Sequence, residues 1–126
     1  MDFFSVEGAP KRTAHYTPAI RSGNLVCISG QLPIDPMTGE HCKGGIAEQT
    51  KRVLENLNLL AHLAGAQKEE IMKVTIYIAD IELWGEVNQI YADFFGNHKP
   101  ARTIVPAPNL HYGFLIEMDA MAAIES

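Results

Sequence analysis

The stretch Ile71-Met72-Lys73-Val74-Thr75-Ile76-Tyr77-Ile78-Ala79 alternates apolar and polar side chains, and its period decides the fold class. A strand turns successive side chains to opposite faces. Met72, Val74, Ile76 and Ile78 are therefore predicted on one face, and Lys73, Thr75 and Tyr77 on the other. On both sides of this strand the period becomes helical. Upstream, Ile46, Val53, Leu54, Leu57, Leu60, Ala61 and Ala64 share one stripe, with Glu48, Lys51, Arg52, Glu55 and Asn58 largely off it. Gly65 stands where a C-terminal cap belongs. Downstream, Asp80 is a good N-cap for a second helix with the stripe Leu83, Trp84, Val87, Ile90, Tyr91, Phe94 and Phe95. Gly85 weakens that helix by ~1 kcal/mol relative to alanine, and Gly96 ends it.

The remaining stretches extend the sheet. Leu25-Val26-Cys27-Ile28-Ser29-Gly30 is a nearly continuous apolar run, read as a strand covered on both faces. It forms a hairpin with a partner within Thr13–Ile20, across the turn Arg21-Ser22-Gly23-Asn24. Residues 1–12, with Phe3, Phe4 and Val6, either fray or lie against the sheet as a short strand. Asp35-Pro36-Met37-Thr38-Gly39 is a turn. Thr103-Ile104-Val105 is a short strand, and Pro106 and Pro108, which cannot donate to a ladder, lie on an edge or outside it. Leu115 to Ile124 is the last strand. This order gives an α+β fold, with two helices on one face of a mixed sheet. The other face carries Thr75, Tyr77, Glu117, Asp119 and Met121, a set that is neither good core nor good solvent surface. Burial against another copy of the chain is the preferred reading, a half-wet face in a monomer the alternative.

A chain of 126 residues suits a single domain, 1–126, with one core. The net charge of −5, with Lys11-Arg12 and Lys51-Arg52 as isolated pairs, argues against a nucleic-acid surface. No apolar run approaches the roughly 18 residues of a membrane span, and Met1-Asp2-Phe3-Phe4 offers neither a basic n-region nor a long h-region. Cys27 and Cys42 do not make a disulfide framework. Cys27 is expected as a buried free thiol in a reducing compartment, the cytoplasm or an organelle matrix.

Chemistry gathers near the C-terminus. Glu117 and Asp119 sit two apart on the last strand, so both carboxylates share one face. Carboxylates lose several kcal/mol on leaving water unless a cation or donors replace it. The nearest upstream cation is Arg102, in Pro100-Ala101-Arg102-Thr103. Its planar fork suits a carboxylate, of the protein or of a small anionic substrate. A binding site and an ordinary ion pair at a strand end or subunit contact both fit. No phosphate-binding glycine loop, dinucleotide fingerprint or nucleophile elbow is present. His15, His41, His62, His98 and His111 are scattered without zinc spacing, so no metal is expected. His62 reads as a surface or flank residue, and His111 and Tyr112 as solvent-facing in preference to lining a pocket. Ser29 reads as bonded to backbone and not as a nucleophile.

Ser29-Gly30-Gln31-Leu32-Pro33-Ile34-Asp35-Pro36-Met37-Thr38-Gly39-Glu40 resembles the signature of the RidA (YjgF) family. The likeness continues through Ile46-Ala47-Glu48-Gln49-Thr50, Val53-Leu54-Glu55-Asn56-Leu57, Val74-Thr75-Ile76-Tyr77, Val87-Asn88-Gln89-Ile90-Tyr91 and Pro100-Ala101-Arg102, almost the whole chain in order. It implies a chorismate-mutase-like α+β fold assembled as a homotrimer, with pockets between neighbouring subunits. It also implies hydrolytic deamination of enamine and imine intermediates such as 2-aminoacrylate, with no cofactor. By position, Arg102 matches the arginine that grips the substrate carboxylate, and Glu117 the glutamate that positions the attacking water. Tyr16 matches a pocket tyrosine from the neighbouring subunit's side. Ser29 and Gly30 match a strand end whose backbone faces the ligand, and Asn88 a polar residue near the pocket. Where well-known members often carry cysteine this chain has Ile104, which leaves only its backbone N–H to serve.

The chain departs from the family pattern near the site. Val105-Pro106-Ala107-Pro108-Asn109-Leu110-His111-Tyr112 intervenes after the arginine, His111 replaces the usual proline, and His15 another. A larger unsaturated imine, as in 2-aminomuconate deaminases, and a non-catalytic trimer that binds small carboxylates are the alternative readings.

Overall fold

Eight main elements follow one another along the chain in this computed structural model: strands β1 (Asp2–Phe4), β2 (Ala19–Ser22) and β3 (Leu25–Gln31), helix α1 (Ile46–Leu63), strand β4 (Ile71–Ile78), helix α2 (Trp84–Phe95), and strands β5 (Ala101–Pro106) and β6 (Ile116–Ala123). The structure describes residues 1–11 and 13–125, so Arg12 of the Lys11-Arg12 pair lies outside the described residues. The six strands form one mixed sheet in the order β1-β2-β3-β6-β4-β5. All neighbours are antiparallel except β4 and β5, which run parallel. The crossover between those two is α2, as a parallel pair requires.

Both helices cover the same face. Val26, Ile28, Val74, Ile76, Ile78, Ile116, Met118, Ala120 and Ala122 point into a core closed by Val53, Leu54, Leu57 and Leu60 of α1 and by Val87, Tyr91 and Phe95 of α2. This is the expected α+β arrangement. Gly65 follows the C-cap Ala64 of helix α1, and its φ of +97° suits glycine. The Arg21 guanidinium donates to Ala64 O at 3.1 Å, setting a cation against the helix's negative end. Asp80 caps a 3-10 turn, Ile81–Leu83, accepting from Glu82 N at 3.0 Å just ahead of α2.

Four local expectations are corrected. Cys27 is exposed, as is Leu25, and β3 is buried on alternate residues only. An apolar run satisfies either face, but both helices lie on the other side and nothing in the protomer covers this one. Met72 is 45% exposed while Ile71 is fully buried. A register shift between Ile71 and Lys73, against β6, turns the residue pair over. The hairpin is shifted too: Arg21 and Ser22 belong to β2 and pair with Val26 and Leu25, leaving Gly23 and Asn24 for the turn. Residues 13–18 precede that strand instead of forming it.

Polar residues on the buried side of α1 hold the loops in place. Asn56, 2% exposed, donates to the carbonyls of Leu32 and Ile34 at 3.2 and 2.9 Å and accepts from Arg52 Nε at 3.1 Å. Gln49 donates to Gly44 O at 3.1 Å and accepts from Leu115 N at 2.9 Å. Asn56→Ala strands two carbonyls and is expected to cost about 1–3 kcal/mol. Urea unfolding should show a lower midpoint with an unchanged slope.

Candidate functional site

Strand parity sorts the candidate residues into two groups. In β6, Ile116, Met118, Ala120 and Ala122 are buried, so Glu117 and Asp119 turn to the sheet's outer face, as their spacing requires. In β5, Arg102 lies beside Val74 of β4 and Ile104 beside Ile76, so both side chains turn toward the helices.

The first group surrounds a cavity of about 460 Å³ whose wall includes Tyr16, Ser29, Gly30, Leu32, Glu117, His111 and Tyr112. A register shift between Ile28 and Gln31 marks where β3 departs from regular pairing with β6. Ser29 Oγ donates to Thr17 O at 2.6 Å, so this hydroxyl is held by backbone as expected. Gly30 makes room for Glu117: a Cβ there would overlap Glu117 Oε2. Burial raises the Glu117 carboxyl above the ordinary range; the charge of His111 pulls it back, and Asp119 pushes it further up. Beside it, Tyr77 Oη donates to Asp119 Oδ2 at 3.0 Å. That hydrogen bond, with burial and the charges of Asp119 and Glu117, raises the Tyr77 phenol as well.

The second group sits between β5 and α2. Arg102 donates to Asn88 Oδ1 at 3.0 Å. Its guanidinium carbon lies 4.6 Å from the Trp84 ring centroid and 5.0 Å from that of Tyr91. The guanidinium remains exposed beside a groove of about 450 Å³, lined also by Phe95, His98 and Lys99. Burial pushes the Tyr91 phenol up to about 12 against the opposing charge of Arg102.

Tyr16, Ser29, Gly30 and Glu117 are thus brought together, and so are Arg102 and Asn88, with Ile104 two residues along. One protomer does not unite the two groups, and Arg102 makes no ion pair with Glu117 or Asp119. His111 and Tyr112 are exposed as expected yet line the Glu117 cavity. Gln49 and Asn56 escaped the sequence reading, although amides on an apolar helical stripe were a signal. No group of three or more His, Cys, Asp and Glu among the described residues could hold a metal ion. No helix of the described residues is long and apolar enough to cross a membrane.

A family model described as Endoribonuclease L-PSP matches residues 6–124. A RutC family protein of Pyrococcus abyssi is 46% identical over 92% of this chain and 91% of its own length. The chain belongs to the RidA/YjgF family. A second family relative, the rat 2-iminobutanoate/2-iminopropanoate deaminase, is 35% identical over 94% of this chain and 86% of its own. Among solved RidA/YjgF structures, a Thermotoga maritima protein superposes with a TM-score of 0.93 at 38% identity, covering 100% and 99% of the two chains. The Escherichia coli YjgF gene product gives 0.90 at 30% identity over 99% and 100%. E. coli TdcF with bound serine gives 0.91 at 28% over 99% and 100%.

The raised Glu117 carboxyl fixes the sign of a pH effect. A carboxyl with a higher pKa folded than unfolded binds more protons folded, so it destabilises the fold increasingly as pH rises from the unfolded toward the folded value. Glu117→Gln should therefore leave stability unchanged at acid pH and raise it at neutral pH, as read by denaturation midpoints across that range.

Proposed function

We propose that this chain, a single domain over 1–126, hydrolyses reactive 2-imino and 2-enamino carboxylates of the 2-aminoacrylate type to 2-keto acids and ammonia. It works without a cofactor, as a homotrimer whose pockets are shared between subunits. The observation that carries this reading is Glu117: a half-buried carboxyl, raised by desolvation, against Gly30 in the wall of a cavity. The named activity of the rat relative supports the reaction class, and serine bound to TdcF supports a small carboxylate as ligand.

Arg102 and Glu117 occupy opposite faces of one sheet, so a substrate touching both needs two copies of the chain. One copy supplies Arg102, Asn88 and the Ile104 backbone N–H; the next supplies Tyr16, Ser29, Gly30 and Glu117. The open outer face and the unpaired far edge of β5 leave surface for such an assembly. Arg102 grips the substrate carboxylate through two parallel hydrogen bonds, already steadied by Asn88 and the two aromatic rings. The iminium carbon is electrophilic by itself, so water needs placement and a base more than strong activation. Glu117 holds the water beside that carbon and takes its proton, and burial favours the neutral acid that results. Proton transfer of this kind is worth roughly 10²–10⁴-fold, sufficient where spontaneous hydrolysis is already fast.

A second reading is a trimer that binds small carboxylates without turnover, which the stable amino acid in TdcF favours. The cavity of about 460 Å³ leaves space for a larger unsaturated imine. The endoribonuclease name of the family model points to RNA, but a net charge of −5 without a basic tract disfavours it.

The test couples the protein to a serine/threonine dehydratase or an amino-acid oxidase and follows loss of semicarbazide-trapped imine over a panel of substrates. Arg102→Ala should lower kcat/KM by about 10²-fold, the loss of a charge-assisted pair worth roughly 3 kcal/mol. Equal clearance by wild type and Arg102→Ala overturns the mechanism. Calorimetric binding of 2-oxobutanoate with no imine turnover favours the second reading, and a fully active monomer overturns the shared pocket.

A further inference from the structure

The turn that leads into β6 carries an unusual backbone and an unused base. Tyr112 has φ +59° and ψ +17°, the one non-glycine with positive φ among the described residues, and Gly113 follows at φ +71°. For an aromatic residue that conformation is unfavourable and persists only where its surroundings hold it. They do so here. Phe114 N donates to His111 O at 3.1 Å, the Phe114 side chain is buried, and Leu115 N is fixed by Gln49. The His41 ring lies 4.6 Å from the Tyr112 ring and 5.1 Å from that of Phe114. This bracing sets His111 in the wall of the cavity that also holds Glu117, Ser29 and Tyr16. We propose that His111, set in the same cavity wall as Glu117 by this left-handed turn, is the second proton-handling residue of the site, serving the departure of ammonia.

The inference rests on the hydrolase reading above. Water attack forms a C–O bond, moves the C=N pair onto nitrogen, and leaves a water proton on Glu117. The carbinolamine then needs a proton on its nitrogen and must lose one from its hydroxyl. Protonated His111 supplies the first, and as the C–N bond breaks and the carbonyl forms, the neutral imidazole takes the second. Glu117 passes its proton to the departing ammonia, which leaves as ammonium with both side chains restored. One carboxyl alone would have to make all these transfers in turn. An imidazole gives and takes protons near neutral pH, and its positive charge also pulls the Glu117 carboxyl down against burial. The other titratable groups around the pair are Asp119 and Tyr77 on the sheet face, Tyr16 and Tyr112 in the cavity wall, and His41 behind Tyr112.

The experiment compares kcat and kcat/KM of the wild-type protein, His111→Asn and His111→Gln from pH 5 to 9, using the coupled imine assay. Both variants should keep KM within about twofold, since Arg102 is untouched, while kcat falls by about 10²-fold at neutral pH. The acid limb of kcat/KM should move to higher pH as Glu117 loses its cationic neighbour, and added imidazole should restore part of kcat. Variants that melt like the wild type and keep its kcat and pH profile overturn the role of His111 and leave the hydrolase intact. A wild-type protein with no imine turnover overturns both. A loss of kcat with the acid limb unmoved and no response to imidazole overturns the proton-handling role in favour of a structural one.

Discussion

Strand parity separates the guanidinium of Arg102 from the carboxylate of Glu117. Arg102 shares the helix-facing side of β5 with Ile104, and Glu117 the outer side of β6 with Asp119 and Met121. Because side chains alternate with a period of two, no rotamer change moves either group through the sheet. The arrangement splits the candidate site of each protomer into two halves. In the guanidinium half, Arg102 lies against Trp84 and Tyr91 and is bonded to Asn88. The carboxylate half is a cavity bounded by loops.

The outer face gives the carboxylate half its chemistry. Tyr77 stands directly across from Glu117, and Thr75 across from Asp119, so the phenol that reaches Asp119 also stands beside the second carboxylate. Asp119 thus has a donor, whereas Glu117 has lost water to Gly30 and the cavity wall without gaining one among the described hydrogen bonds. An unpaired carboxyl of this kind costs stability and is suited to exchanging a proton. A favoured neutral form makes Glu117 a poor structural group and suits it to the base role proposed for it.

Much of the fold is legible from sequence periodicity. The alternation in β4, the stripe from Ile46 to Ala64 and the glycine after it specify two elements and the face each buries, and parity alone places Glu117 and Asp119 together. What the pattern misses is local. The Ile71/Lys73 register shift inverts Met72, because a bulge leaves no mark on composition. Cys27 reads as core because apolar residues suit a covered face, and which face is covered depends on where both helices land. The candidate site divides the same way. The resemblance supplies its residues, but only the strand order and register reveal that they form two groups.

Helix α1 explains how the carboxylate half holds its shape. Gln49 and Asn56 stand seven residues apart on its buried side, among apolar neighbours. Each spends its amide on main chain: Asn56 on Leu32 and Ile34, Gln49 on Gly44 and Leu115. Those segments flank the cavity from two directions, one beyond Gly30 and one ahead of Glu117. Loops rarely pack well enough to hold a geometry by apolar contact, since their backbone groups must still be satisfied. Buried amides satisfy those groups and fix the loops to the buried side of α1 in one step. The polar interruptions of the stripe therefore read as positional information, linking the core to the place where the chemistry is proposed to occur.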